Sequence, residues 1–406
     1  MDVAIKTIEA EAEGLRDINK KIHENPELGF EEVQAHDNIV AYLRKLGFKV
    51  KPHAYGVATS MEAEYGSGGR VVTFNAEYDS LPDIGHACGH NLIATASVAG
   101  FIGAAAALKA SGKSGRVRLL GTPAEEGGGG KLKLIDAGAF KDVDACMMVH
   151  PAPFTETCKG LTGAAYATSA ANCKLYVTFH GRPAHAAFAP WQGSNALDAA
   201  TLAYSAVSMM RQQIRPEDRI HSIINHGGDR PNVVPHMSKM NYYCRAPTLA
   251  RAKMLRHRVE ACFRAAGLAT NCHVEIQEQN TYFDLRPNRP LAAAYAEEME
   301  KIGSPVALSY EPDATMAGST DQGNVSYECP SIHPMFGIDA REGCYNHTPG
   351  FTAAAGTEKA FWQTIETAKG MAAAAWRMLT DDKFAEEVKK DFEEDQKTLR
   401  KENSKT

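Results

Sequence analysis

The sequence predicts an α/β protein: a mostly parallel sheet flanked by helices, interrupted by an inserted α+β module of split-βαβ, ferredoxin-like pattern. Three observations carry this reading. Between residues 57 and 149, strand-like runs alternate with helix-like ones, the signature of a parallel sheet covered on both faces. From about Ala171 the order changes to β-α-β-β-α-β. At 406 residues the chain also exceeds what one hydrophobic core usually covers. The expected division is 1–170, 171–281 and 282–406, with the outer two segments forming one domain.

The opening MDVAIKTIEAEAEGLR reads as an amphipathic helix. Phe30, Val33, Ile39, Val40, Leu43 and Leu46 fall mostly on one face of a second, which Gly47 stops. Val57–Tyr65 and Arg70–Ala76 are predicted strands around the turn residues Gly66–Gly69. A helix over Asn91–Ala110, a strand over Arg116–Gly121, a helix over Leu132–Ala137 and a strand over Ala145–Val149 complete the repeat. In the inserted module, strands are expected at Cys173–His180, Ile220–Asn225, Met237–Cys244 and Cys272–Gln279. Helices are expected at Ser194–Gln213 and Leu249–Ala266. The chain then returns through helix Leu291–Ile302 and the stretch Ala317–Asn324 to a long terminal helix. Its charged tail, from Asp381 onward, is expected to be a solvated helix that frays at the end.

Composition narrows the function classes. An apolar content of 44% with 23% charged residues describes an ordinary globular protein. A formal charge of −5 provides no basic field for nucleic acid or an anionic membrane. Nine scattered cysteines do not suggest a disulfide framework, and no basic n-region precedes an apolar stretch at the start, so a cytoplasmic location is expected. Asn91–Leu108 is uncharged and has the length of a short membrane span. It is Ala-rich and broken by Ser, Thr and Gly, which favours a buried helix. The sequons at Asn324 and Asn346 are then idle matches.

Chemistry concentrates at predicted strand ends, where ligands sit in such sheets. Asp79 follows one strand, Glu125 and Glu126 the next, and His150 the third. In NAEYDSLPDIGHACGHN, His86, Cys88 and His90 alternate, and Gly85 and Gly89 permit a tight turn. Thiolate and imidazole at such spacing suit zinc and related metals. Glu125 and Glu126 repel unless a cation or a shared proton intervenes. A dication answers this by taking one Glu as ligand and leaving the other as general base. The glycines Gly127–Gly130 follow two acids and make a poor phosphate cradle.

With these residues in view, the motifs HACGHN, GTPAEEGGGGK, VHP, GRPAHAAFAPWQGSNALDA, GGDRPNVVP, GSTDQGNVS and NHTPGF resemble, in order, the aminoacylase and carboxypeptidase-type di-metal peptidases of clan MH. The resemblance spans about Asn19 to Phe351. It is closest to the amidohydrolase branch, with its indoleacetyl-amino-acid and p-aminobenzoyl-glutamate hydrolases, and within it to the β-alanyl-lysine dipeptidase-like group. It implies two divalent metal ions per subunit, zinc or alternatively manganese or cobalt. Cys88 would bridge them, with Glu126 and His347 on one ion and His90 and His150 on the other. Glu125 would be the general base, and Asp79 would orient a ligand histidine. His86 would be structural, and Glu77 stands where many relatives carry a metal-binding His. The inserted domain would be a lid and dimerisation domain whose His185 reaches the partner subunit's active site in a homodimer. Asn232 and Arg245 would hold a substrate carboxylate, and Ser319, Thr320 and Asn324 would line the cleft. Gln322, Tyr327 and Cys329 depart from the expected wording, which bears on substrate identity; Trp191 is expected to pack.

The resulting expectation is a metal-dependent amidohydrolase acting on a small dipeptide or N-acyl amino acid, with no nucleic-acid or membrane partner. An acyltransferase using the same site to form an amide is the alternative, because an amine can replace water where water is excluded. A non-catalytic binding protein is disfavoured by the complete set of ligands and base.

Overall fold

The computed structural model describes residues 1–154, 161–311 and 318–403, and the chain forms two compact units. The larger holds Met1–Thr168 and most of the chain from Leu285 to Arg400; the smaller is built on Ser169–Asp284 and includes Ser319.

The larger unit opens with α1 (Asp2–Ala10), α2 (Ala12–Glu24) and α3 (Val33–Lys45). The amphipathic start is thus two helices, broken at Glu11, which bury Ala4 and Ile8, then Leu15, Ile18 and Ile22. Next come β1 (Lys49–Pro52), β2 (Met61–Ser67), β3 (Val71–Ala76), α4 (His90–Ser111), β4 (Gly115–Gly121), α5 (Gly130–Asp136), β5 (Ala145–Met147), β6 (His150–Pro153) and β7 (Gly163–Ala164). The apolar helix expected behind the metal motif is α4, with 94% of its most hydrophobic window buried. It is one helix of membrane-spanning length and hydropathy, and it serves as the core helix instead.

The smaller unit runs β8 (Ala171–His180), α6 (Ala196–Met209), β9 (Arg219–His226), β10 (Met237–Ala246), α7 (Leu249–Thr270) and β11 (His273–Glu278). Its sheet has the order β11-β8-β10-β9, with every pairing antiparallel. Alternate residues of β10, such as Met240, Tyr242 and Cys244, are buried while their neighbours are not, the period-2 pattern of a sheet with one covered face. Asn195 caps α6 through its side-chain oxygen, and Thr248 caps α7.

The chain returns as α8 (Arg289–Ile302), α9 (Gln322–Glu328), β12 (Ser331–Ile332), β13 (Met335–Ile338), α10 (Pro349–Ala355), α11 (Glu358–Thr380) and α12 (Asp382–Asn403). The main sheet has the order β1-β2-β4-β3-β5-β12. β4, β3, β5 and β12 are parallel, and β2 and β1 extend the edge antiparallel. The strands either side of the Gly66–Gly69 turn do not pair with each other. The parallel crossover β3-α4-β4 places β4 between them. Every residue of β3 is buried, as expected for an inner strand covered on both faces.

The charged tail departs from expectation. It is a helix separate from α11, and Phe384, Val388 and Leu399 are buried. The Arg286 guanidinium grips Asp395 with both arms, at 2.7 and 2.5 Å, and Gln396 donates to the Tyr327 carbonyl. Apolar residues spaced through a charged sequence, together with these bonds, dock the helix rather than leave it solvated. The eight described cysteines are free.

On inner strand β4, Arg118 is 6% exposed and forms a fork with Asp142, with bonds of 2.8 and 3.0 Å; Arg116 adds a third at 2.8 Å. The Arg118 bonds hold the Asp142 carboxyl down at about 2, against burial that acts the other way. A carboxyl depressed in the fold stabilises above its unfolded value and loses that contribution as pH falls through its folded value. Asp142→Asn should therefore lower the melting temperature at neutral pH, by the equivalent of at most about 1 kcal/mol for a carboxylate this exposed. The difference from the parent should shrink between about pH 4 and pH 2 in thermal melts. An equal difference at both ends of that window would contradict it.

Candidate metal centre

Parallel strands β3, β4 and β5 end on one side of the sheet, and the turns beyond them carry the candidates: Asp79 after β3, Glu125 and Glu126 after β4, His150 after β5. The Cys88-Gly89-His90 turn leads into α4, and His347 precedes α10. Two backbone features shape these turns. Gly89 has φ +78, and a Cβ there would meet Pro151 Cγ at 2.5 Å, so only glycine lets Cys88 and His90 flank it. Ala124 and His347 take the left-handed conformation without being glycine, at φ 58 and 68, which costs roughly 1–2 kcal/mol each. Ala124 is held there by its N–H bond to Glu32 Oε1 at 2.8 Å, while Thr59 Oγ1 binds the other Glu32 oxygen at 2.7 Å. The following glycines close this turn. A Cβ on Gly130 would fall 1.7 Å from the Pro123 carbonyl, which explains the glycine run without a phosphate.

Asp79 organises the donors. Its Oδ1 lies 3.0 Å from His90 Nδ1, and its Oδ2 accepts the Glu126 backbone N–H at 2.8 Å. Burial opposes its charge, yet His90 and these bonds hold its carboxyl below the usual range. A carboxylate can only accept, so His90 carries a proton on Nδ1 and turns Nε2 toward the other donors. His150 is set the same way: Nδ1 faces the Pro151 carbonyl at 2.8 Å, and Nε2 lies 3.3 Å from Cys88 Sγ.

Among the described residues, three groups bring donor atoms within 4.8 Å of one another: Cys88, His90 and His150; Cys88, Glu126 and His347; His90, Glu125 and Glu126. Cys88 belongs to the first two, as a bridging thiolate requires. His347 Nε2 lies 3.3 Å from Glu126 Oε1. Burial, with the nearby Glu126 charge, pushes the Cys88 thiol well up, and burial with Glu77, Glu126 and Asp321 pushes Glu125 well up. Cations between these groups would reverse both shifts. The fit also shows in His90 Nε2, which is buried without a hydrogen-bond partner among the described residues. A soft thiolate, imidazole nitrogens and carboxylates suit borderline divalent ions. His86 is buried but outside all three groups; burial, with His90 and His23 adding to it, lowers it to about 3 and keeps it neutral.

Sequence reasoning missed two neighbours. His333 is buried, its ring 5.4 Å from that of His150. Lys131, fully buried in α5, is ion-paired to Glu77 and Asp321. No local pattern distinguishes such a lysine from one on a helix surface.

In the smaller unit, His185 is exposed and its Nδ1 accepts N–H bonds from Ala187 and Phe188 at 3.3 and 3.1 Å, leaving the proton on Nε2. The Asn232 carbonyl accepts the Ala186 N–H at 3.1 Å, setting that turn beside His185. Arg245 donates to Ser319 Oγ at 2.8 Å and to His221 Nε2 at 3.2 Å. Thr320 and Asn324 belong to the larger unit and are 7% and 5% exposed. Trp191, expected to pack, is 76% exposed, and its neighbour Phe188 81%. Gln322 and Cys329 are buried, and Gln322 Oε1 accepts from Asn75 Nδ2 at 2.8 Å, so both pack the larger unit.

Known proteins agree with this architecture. In the solved structures the fold recurs in an aminobenzoyl-glutamate utilization protein from Klebsiella pneumoniae, with TM-score 0.72 at 18% identity over 93% of this chain and 98% of that one. It recurs also in the Bacillus subtilis YXEP protein, a dinuclear metal binding peptidase, with TM-score 0.65 at 18% identity over 91% and 99%. The chain is 41% identical to the Xaa-Arg dipeptidase of Mus musculus over 96% of its own length and 91% of that protein's. It is 31% identical to one of the subunits of the p-aminobenzoyl-glutamate hydrolase of Escherichia coli, over 79% and 70%. The sequence profile of peptidase family M20/M25/M40 matches residues 73–373, and with that match the chain belongs to this family of amide-hydrolysing enzymes, of dipeptidase and aminoacylase type.

Proposed function

We propose that this enzyme is a di-metal dipeptidase or N-acyl-amino-acid hydrolase acting in the cytoplasm as a homodimer, with zinc as its metal. The observation that carries the reading is the pair of donor groups sharing Cys88, with Glu125 beside them. Bound there, two cations would polarise an amide carbonyl and lower the pKa of water. Cys88, His90 and His150 would hold one, and Cys88, Glu126 and His347 the other. Glu125, 7% exposed, takes the proton from water and delivers it to the leaving nitrogen. Asp79 keeps the His90 lone pair aimed at the centre.

Asn232 and Arg245 hold the substrate's carboxylate, the guanidinium fork matching its two oxygens. Ser319, Thr320 and Asn324 line the cleft. The 41% identity to a dipeptidase described as Xaa-Arg supports dipeptides with a basic C-terminal residue as the first substrates to try. His185 stabilises the developing oxyanion of the partner subunit. Dimerisation is supported by β9, an outer strand with Ile223 58% and Ile224 42% exposed, and by Leu202, Tyr204 and Met209 exposed on α6.

Zinc-loaded protein assayed against Xaa-Arg, Xaa-Lys and N-acyl amino acids, with and without a competing amine, tests the activity. Free amino acid is the expected product, and a new amide as the main product would replace hydrolysis by acyl transfer. Glu125→Gln should keep wild-type metal content and lose roughly two to four orders of magnitude in rate. Glu126→Gln should lose metal, and the opposite pattern would exchange the two roles.

Mixing subunits tests the role of His185. His185→Ala and Glu125→Gln parents should each be nearly inactive. Their heterodimer keeps one site with an intact Glu125 and a His185 from the other chain, so about half the two-site activity should return. Verified heterodimers without activity would rule out action across the interface.

A further inference from the structure

Beside the donor groups lies an ion cluster closed off from solvent. Lys131 and Asp321 are 0% exposed and Glu77 is 1%. The Lys131 ammonium donates to Glu77 Oε1 and, at 2.6 Å, to Asp321 Oδ1. Asp321 Oδ2 accepts the Lys131 backbone N–H at 3.0 Å, so both Asp321 oxygens are engaged. Glu77 is not balanced in this way. Its Oε2 is buried without a hydrogen-bond partner among the described residues and lies 3.5 Å from His90 Nε2, which is unpartnered too. The other His90 nitrogen is committed to Asp79.

Charge accounting makes the asymmetry informative. Lys131 and Asp321 already form a neutral pair that links α5 to the segment before α9. Asn75 and Gln322 tie that segment to β3 by a separate bond of 2.8 Å. A purely architectural bridge would be complete without Glu77. Its carboxylate instead adds a buried negative charge that the cluster does not offset, a costly arrangement without a further cation. The unsatisfied oxygen faces the imidazole nitrogen that is free to bind one.

We propose that Glu77 is a positioning residue of the metal centre: fixed by Lys131 and Asp321, its second oxygen supplies negative charge that holds a divalent cation at the His90 position. The inference rests on the di-metal reading above and deepens it, because Glu77 belongs to none of the three donor groups.

The test is a zinc titration of metal-stripped enzyme against a chromophoric chelator, reading stoichiometry and the affinity of each equivalent. Wild type should bind two equivalents. Glu77→Gln keeps the shape and leaves Lys131 paired with Asp321, so the fold should persist. It should weaken one equivalent about ten- to a hundredfold, the range for residues that support metal ligands, and leave the other within about threefold. Glu77→Asp should recover part of the loss, because it restores charge without restoring shape. Asp321→Asn, which neutralises the cluster from its far side with Glu77 intact, should weaken the same equivalent less, and it serves as the measurement should Glu77→Gln fail to fold. Two equivalents with unchanged affinities in Glu77→Gln would overturn the proposal, as would a Glu77→Asp variant no tighter than Glu77→Gln. A wild type binding fewer than two zinc ions would instead overturn the di-metal reading itself.

Discussion

The centre depends on one carboxylate, Asp79. Its two oxygens bind two different structural elements, the imidazole at the start of α4 and the backbone of the turn after β4. Each bond has a chemical consequence. One commits His90 Nδ1 to Asp79, so that Nε2 is the nitrogen facing the donor cluster. The other fixes the backbone at Glu126, and thereby the side chains of both adjacent acids. A charged residue 1% exposed is costly to bury unless its lone pairs are filled, and here donors from two parts of the fold fill them.

Around that carboxylate the larger unit accepts local strain in exchange for convergence. Left-handed residues at Ala124 and His347, and a glycine at 89 pressed against Pro151, are unfavourable choices for the chain alone. They persist because the parallel sheet and the buried α4 over-determine the turns at its edge. The result is a concentration of acids, imidazoles and a thiol that repel or resist ionisation without a cation, and whose mutual distances suit ions of the zinc class. Chemistry and architecture meet at the strand ends because there backbone N–H groups and side chains from several strands can face one point.

The smaller unit follows different rules. Its antiparallel sheet buries one face under α6 and α7, and its outer strand β9 keeps apolar side chains in solvent. Trp191 and Phe188, near His185, are exposed as well.

Much of this was legible in the sequence. Alternation of strand and helix, buried β-branched runs and the glycine stops located the inner strands of the main sheet, the four strands of the smaller unit and most of the long helices, because hydrophobic period and turn chemistry are local properties. Cys88, His90, Glu125, Glu126 and His150 stood out as metal-binding residue types gathered at predicted strand ends and the turn beside them, whereas His347 came only from the resemblance. Tertiary structure alone decided the rest. The position of β4 between β2 and β3 depends on a crossover, which no local pattern specifies. The docking of α12 depends on Arg286, more than a hundred residues away in sequence, closing on Asp395. The cluster of Glu77, Lys131 and Asp321 joins three segments whose residues each look like ordinary surface charges. Only the fold, by removing water from all three at once, turns them into a unit whose charge must be answered from within.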